Sequence, residues 1–155
     1  MTFVRPGLEY CSEIWNPHLI RDIEVIERVQ RLFTRRIPGL SSFSYEQRLR
    51  HLNLKTLKHR RTEKDLIFVF KMIHGMIDLS FDDFFEFSEN RTRGHIYKIA
   101  VKRSRLDVHK YFFASRIIPI WNSLPPEIVD SPSLAVFRSR VKGISSFENL
   151  GLRVR

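Results

Sequence analysis

The stretch HLIRDIEVIERVQRLFTRRIPG, residues 18–39, constrains the fold of this chain more than any other. Leu19, Ile23, Ile26, Val29, Phe33 and Ile37 recur at intervals of three and four, which makes them the apolar face of one helix. Asn16-Pro17 reads as its start, with Asn as N-cap and Pro at the first helical position. Pro38-Gly39 ends it. Glu24 with Arg28, and Glu27 with Arg31, form favourable i,i+4 pairs along it.

The rest of the chain continues the helical theme. Ser44 and Gln47 have the spacing of a capping box and predict a short helix. The run KTLKHRRTEKDLIFVFKMIHGMID starts basic and turns apolar; with no turn signal before Gly75 it reads as one long helix rather than a strand. Ser80 to Asp83 suggests a single helical turn capped by Ser80. Tyr97, Ile99 and Val101 alternate with Lys98, Ala100 and Lys102, the period of a half-buried strand, with Leu106 to Tyr111 as a possible hairpin partner. Phe112 to Leu124 has helical spacing, with Pro119 as a kink or early break and Pro125-Pro126 as the stop. Ser131-Pro132 opens a last helix that carries Phe137 and Val141 inward and ends at Gly143. The expected class is therefore mainly α, a helical module with one short β-hairpin or isolated strand near 95–111.

Charge narrows the function classes. The chain carries 27 Lys and Arg against 17 Asp and Glu, a net charge of +10, which points to a polyanionic partner, nucleic acid before a membrane surface. Cys11 is the one cysteine, so a thiolate zinc site or internal disulfide is excluded, and a reducing intracellular compartment, nuclear or cytoplasmic, is expected. No apolar run approaches a membrane span, and the N-terminus lacks the pattern of a signal peptide. The histidines are scattered, with no H-E-x-x-H pair, and there is no phosphate-binding glycine loop. Neither catalytic residues, a metal site nor a cofactor is expected.

The basic residues are better placed. Arg21, Arg28 and Arg35 repeat at seven and share a helix face, with Arg31 beside them. Lys58, Arg61 and Lys64 share another, and Lys98 and Lys102 lie on the open face of the strand. Together these nine form a candidate phosphate-tracking surface, which positions nucleic acid without reading its sequence. Glu24, Glu27, Glu46, Glu63 and Asp65 are competing partners for individual members.

Six segments then occur in a telling order: VRPGLEYCSEIWNP, IERVQRLFTRRIPGL, SYEQRLRHLNLKTLKHRR, DLIFVFKMIHG, TRGH and FFASRIIPIWNSLPPEIVDSPSLAVFRSRV. From Val4 to about Val141 this series resembles the C-terminal part of reverse transcriptases of LINE-type, non-LTR retrotransposons of the jockey-like group. The resemblance implies that residues 1–39 are a thumb-side helical segment following the polymerase palm, residues 40–143 a C-terminal helical extension, and residues 144–155 a loose tail. It also implies that the palm aspartates and the endonuclease of the parent RNA-directed DNA polymerase lie outside this chain. Asp82-Asp83 does not replace them: the family's metal-binding box has an aromatic, one spacer and two aspartates, and Ser80 stands at the aromatic position. Trp121, Asn122, Leu124 and Pro125 match the family's WN-x-LP element, read here as architecture, with base stacking by Trp121 as the functional alternative.

The expectation is a truncated, non-catalytic piece of such a polymerase that binds RNA, DNA or their hybrid through basic helix faces, with the remaining reverse transcriptase domains as a further partner and no membrane. The alternative is a structural or protein-interaction remnant whose apolar face packed on the missing polymerase core.

Overall fold

A computed structural model describes residues 4–89, 94–101 and 111–147. The protein is mainly helical, with seven α-helices among these residues: α1 (Val4–Glu9), α2 (Ile20–Arg35), α3 (Tyr45–His51), α4 (Leu57–Ile73), α5 (Phe113–Ser123), α6 (Pro126–Val129) and α7 (Leu134–Lys142). A single 3-10 turn, Phe81–Asp83, lies between α4 and α5. The chain divides into two compact units, Met1–Arg61 and Thr62–Arg155, with the division inside α4.

The first unit is organised by polar groups. The buried residues of α2 are Glu27, Gln30 and Thr34, whereas Leu19 and Val29, expected on its packed face, are each 41% exposed. Ile23, Ile26, Phe33 and Ile37 are only half-buried. Hydrogen bonding explains the inversion. Gln30 Nε2 donates to Tyr45 Oη at 2.9 Å and to the Lys55 carbonyl at 3.1 Å, and Arg60 Nη2 donates to Gln30 Oε1 at 2.7 Å. Glu27 accepts from the Tyr45 hydroxyl and, at 2.9 Å, from the Leu57 N–H. Its carboxylate thus caps the first turn of α4, where a negative charge complements the helix dipole. Glu27 turns inward to these groups instead of pairing with Arg31. Burial first, and then the bond to Glu27, raises the Tyr45 pKa, so the hydroxyl stays protonated and donating.

Helix ends follow local chemistry. α2 starts at Ile20 with Leu19 as N-cap; Asn16, expected to cap it, instead accepts from Arg61 at 3.4 Å. The Ser44–Gln47 capping box forms with both reciprocal bonds. α3 and α4 both close in Schellman motifs. Leu54 N–H reaches the Leu49 carbonyl at 2.8 Å and Asn53 N–H reaches that of Arg50; Met76 N–H reaches Lys71 at 2.8 Å and Gly75 N–H reaches Met72. Each motif needs a left-handed residue, filled by Asn53 at φ 48° and by Gly75 at φ 59°.

The second unit has an apolar core. Leu66, Val69, Phe70 and Met72 of α4 pack with Phe85, Ile99, Phe113, Ile117, Trp121, Leu124, Phe137 and Val141. Phe70 stacks on Phe137 with ring centroids 4.2 Å apart, and Asp65 receives two bonds from Arg116, at 2.9 and 3.2 Å. α5 runs through Pro119 without a break, because that residue lies on the exposed side, where water can serve the carbonyl left without a donor. α7 is capped by Ser133, whose hydroxyl accepts the Val136 N–H, not by Ser131. Ser131 is buried; its hydroxyl donates to the Ile128 carbonyl and accepts from Arg140. Ser80 takes the N-cap position of the 3-10 turn but makes no side-chain capping bond. Ile144 and Phe147 join the core, with Phe147 5% exposed.

Strand structure among the described residues amounts to one antiparallel bridge, Phe87 to Ile99. Ser88 N–H donates to Lys98 and Ala100 N–H to Glu86, at 2.8 and 2.7 Å. The Tyr97–Val101 segment thus pairs with an upstream segment; residues 106–110 of the expected hairpin partner lie outside the described residues. The WN-x-LP element holds the other side of this segment. Asn122 mimics a neighbouring strand, accepting the Ile99 N–H at 2.9 Å and donating to the Ile99 carbonyl at 2.8 Å. Trp121 Nε1 donates to the Tyr97 carbonyl at 2.8 Å, and the indole is 0% exposed. No face of that ring is open for a base to stack on.

Candidate nucleic-acid interface

α2 presents a line of arginines. With 3.6 residues per turn, positions seven apart lie on nearly one line along a helix, about 10 Å apart. Arg21, Arg28 and Arg35 occupy such a line, and all three are exposed. They point outward because the opposite side of α2 is committed to the Glu27–Gln30–Thr34 network. Arg21 also pairs with Asp22 at 3.4 Å, both well exposed, a contact that solvent screens strongly. Arg31 sits beside the line, exposed, with its guanidinium 5.1 Å from the Tyr45 ring centroid. That cation–π contact fixes the stem while leaving the donors toward solvent.

The second group of candidates separates. Arg61 is only 2% exposed and serves the fold. Its guanidinium lies 4.0 Å from the Trp15 ring centroid and donates to the carbonyls of Trp15 and Leu8. It leaves the phosphate-binding set: a buried guanidinium with its donors turned to backbone carbonyls cannot reach a ligand in solvent. Lys58 is exposed and Lys64 half-buried. Lys98, half-buried, lies over Gly94, its Cε 3.0 Å from where a Cβ on that glycine would stand, so the bare backbone at φ 122° makes room for it. Lys102 lies outside the described residues. The arrangement with demonstrable geometry is the α2 line with Arg31.

Two further arginines, outside the candidate set, are buried. Arg48 bonds Thr34 Oγ1 at 3.2 Å and the Phe43 carbonyl, and Arg60 pairs with Glu9 at 2.9 Å, both side chains under 10% exposed. The sequence signal for them was faint: Glu27, Gln30 and Thr34 follow helical spacing as regularly as the apolar residues do. Among the described residues no group of three His, Cys, Asp or Glu side chains is arranged to hold a metal ion, and no helix is long and apolar enough to cross a membrane.

No protein-family model matches the chain, and no solved structure matches it. An uncharacterized protein of Caenorhabditis elegans is 34% identical over 62 residues, a similarity that covers 38% of this chain and 31% of that protein.

Proposed function

We propose that this chain is the helical thumb-side and post-polymerase portion of a LINE-type reverse transcriptase, and that it binds RNA, DNA or their hybrid without sequence preference and without catalysis of its own. The observation that carries the binding reading is the exposed line Arg21, Arg28 and Arg35 with Arg31 beside it. Three exposed arginine positions about 10 Å apart along one helix axis match a linear polyanion better than a compact ligand. The order of the six sequence segments supports the family.

The test is fluorescence-anisotropy binding of the chain to a short RNA–DNA hybrid across a salt series. Binding should fall steeply with salt. Arg28→Gln, Arg31→Gln and Arg35→Gln together should weaken it at least about tenfold and reduce the log–log salt slope by about 0.7–0.9 for each phosphate no longer neutralised. Unchanged affinity in a triple variant that keeps its helical circular dichroism would remove α2 from the interface.

A further inference from the structure

The arginine line has an aliphatic neighbour that phosphates do not explain. Val25, Val29 and Leu32 are 65%, 41% and 49% exposed. Their spacing of four and three sets them in one stripe along α2, opposite the buried Glu27, Gln30 and Thr34. In a heptad frame Val25 and Leu32 take d and Val29 takes a. Arg21, Arg28 and Arg35 then all take g, the flanking position whose charge selects a partner helix. The half-buried Ile26 and Phe33 take e on the other flank.

We propose that this face of α2 docks an amphipathic helix of another protein, one with an aliphatic seam flanked by glutamates or aspartates. The seam would cover Val25, Val29 and Leu32, and the flanking carboxylates would meet the arginine column. A second copy of this chain is a poor occupant. Antiparallel pairing sets arginine against arginine, parallel pairing sets arginine against Ile26 and Phe33, and each copy brings a net charge of +10. A nucleic acid would engage the arginines but leave three aliphatic side chains in water. The proposal does not depend on the nucleic-acid reading, though an acidic helix and a phosphate backbone would compete for the same column.

The probe is a labelled synthetic four-heptad peptide with Leu at a and d and Glu at e and g, titrated with the full chain. Saturable binding is expected that weakens at least about tenfold in Val29→Gln/Leu32→Gln. Those side chains are exposed, so the circular dichroism should not change. Arg28→Gln/Arg35→Gln should weaken binding and flatten its salt dependence. The same peptide with Lys at e and g, or with Gln at a and d, should not bind. Failure of the Glu peptide to bind, equal binding by the Val29→Gln/Leu32→Gln variant, or binding of the Gln-seam peptide would each overturn the proposal. So would concentration-dependent dimers that Leu32→Gln dissolves, or loss of RNA–DNA hybrid binding in the Val29→Gln/Leu32→Gln variant. Either would show that another occupant covers the stripe.

Discussion

The two units of this chain solve burial in opposite ways. The first places Glu9, Ser12, Glu27, Gln30, Thr34, Arg48, Arg60 and Arg61 inside and leaves Val25, Val29 and Leu32 outside. The second packs aromatic and aliphatic side chains around Trp121 and keeps its few buried polar groups in specific bonds. Apolar burial is non-directional and tolerates repacking, whereas a buried polar network demands a partner for every donor and acceptor. The first unit should therefore fail abruptly when one group is removed, and the second in proportion to the volume removed. The same inversion sets the arginine line and the aliphatic stripe of α2 on its exposed side, because what a helix buries decides what it displays.

The largest expected effect tests the apolar side. Trp121→Ala removes a fully buried indole and its bond to the Tyr97 carbonyl, and should destabilise the second unit by about 4 kcal/mol. Trp121→Phe should cost visibly less. Both variants remove the only tryptophan of the second unit, so segment-resolved hydrogen exchange over residues 62–147 is the readout of the loss. Equal losses for the Ala and Phe variants would show that volume does not govern this core.

Next comes the polar side. Glu27→Ala strands the Tyr45 hydroxyl and the Leu57 N–H at the start of α4, and should cost about 3 kcal/mol. Glu27→Met, closer in volume but equally unable to accept a hydrogen bond, should be nearly as damaging, while Glu27→Gln should recover much of the loss. Segment-resolved hydrogen exchange over residues 20–61 is the readout. A Glu27→Met chain as stable as the parent would place the first unit in the same class as the second and erase the contrast.

Much of this was legible in the sequence where the determinant is local. The Ser44–Gln47 box, the long α4 closing at Gly75, and the stop at Pro125-Pro126 depend on residues a few positions apart, and they form as the spacing implies. The inverted face of α2 was not legible. Glu27 is buried because Tyr45 and Leu57, eighteen and thirty positions away, supply its donors, and periodicity within α2 does not encode them. For the same reason Arg61 read as a phosphate ligand: only the structure brings Trp15 and Leu8 to its guanidinium. Ser131 read as the cap of α7; tertiary packing takes it into the core with Arg140, and Ser133 is the cap instead.

A smaller effect probes how the second unit holds the Phe87–Ile99 bridge. Asn122→Leu preserves approximate size but deletes the paired bonds to the Ile99 backbone, and should cost about 2 kcal/mol. Asn122→Asp retains the acceptor for the Ile99 N–H but sets a carboxylate against the Ile99 carbonyl, so it should rescue little. Loss of exchange protection at the Ile99 amide in Asn122→Leu, with α5 still protected, would show that the side-chain amide substitutes for a neighbouring strand. If Asn122→Leu is silent, the apolar contacts of Ile99 hold the segment alone.

The smallest effect concerns the one buried histidine among the described residues of the second unit. His95 is 3% exposed; its Nε2 lies 3.1 Å from the Trp121 carbonyl and donates to it, while Nδ1 is buried without a hydrogen-bond partner. Burial lowers its pKa below the ordinary value of 6.5; Lys98 pushes the same way, against the opposing pull of the Trp121 carbonyl and Asp130. The neutral ring is the form the fold accepts. A lowered pKa means that the unfolded chain binds the proton first, so stability from this residue is complete above about pH 6.5 and is lost as the pH falls from there toward the folded value. The thermal stability of the second unit should accordingly fall with acid in that window. His95→Gln, which retains an N–H donor near the Nε2 position, should flatten that part of the profile. If both proteins respond identically to acid, a carboxylate of the second unit governs the loss, and the histidine contributes only its hydrogen bond. A step present in the parent and absent in the variant would show that even the apolar half depends on one polar group remaining uncharged.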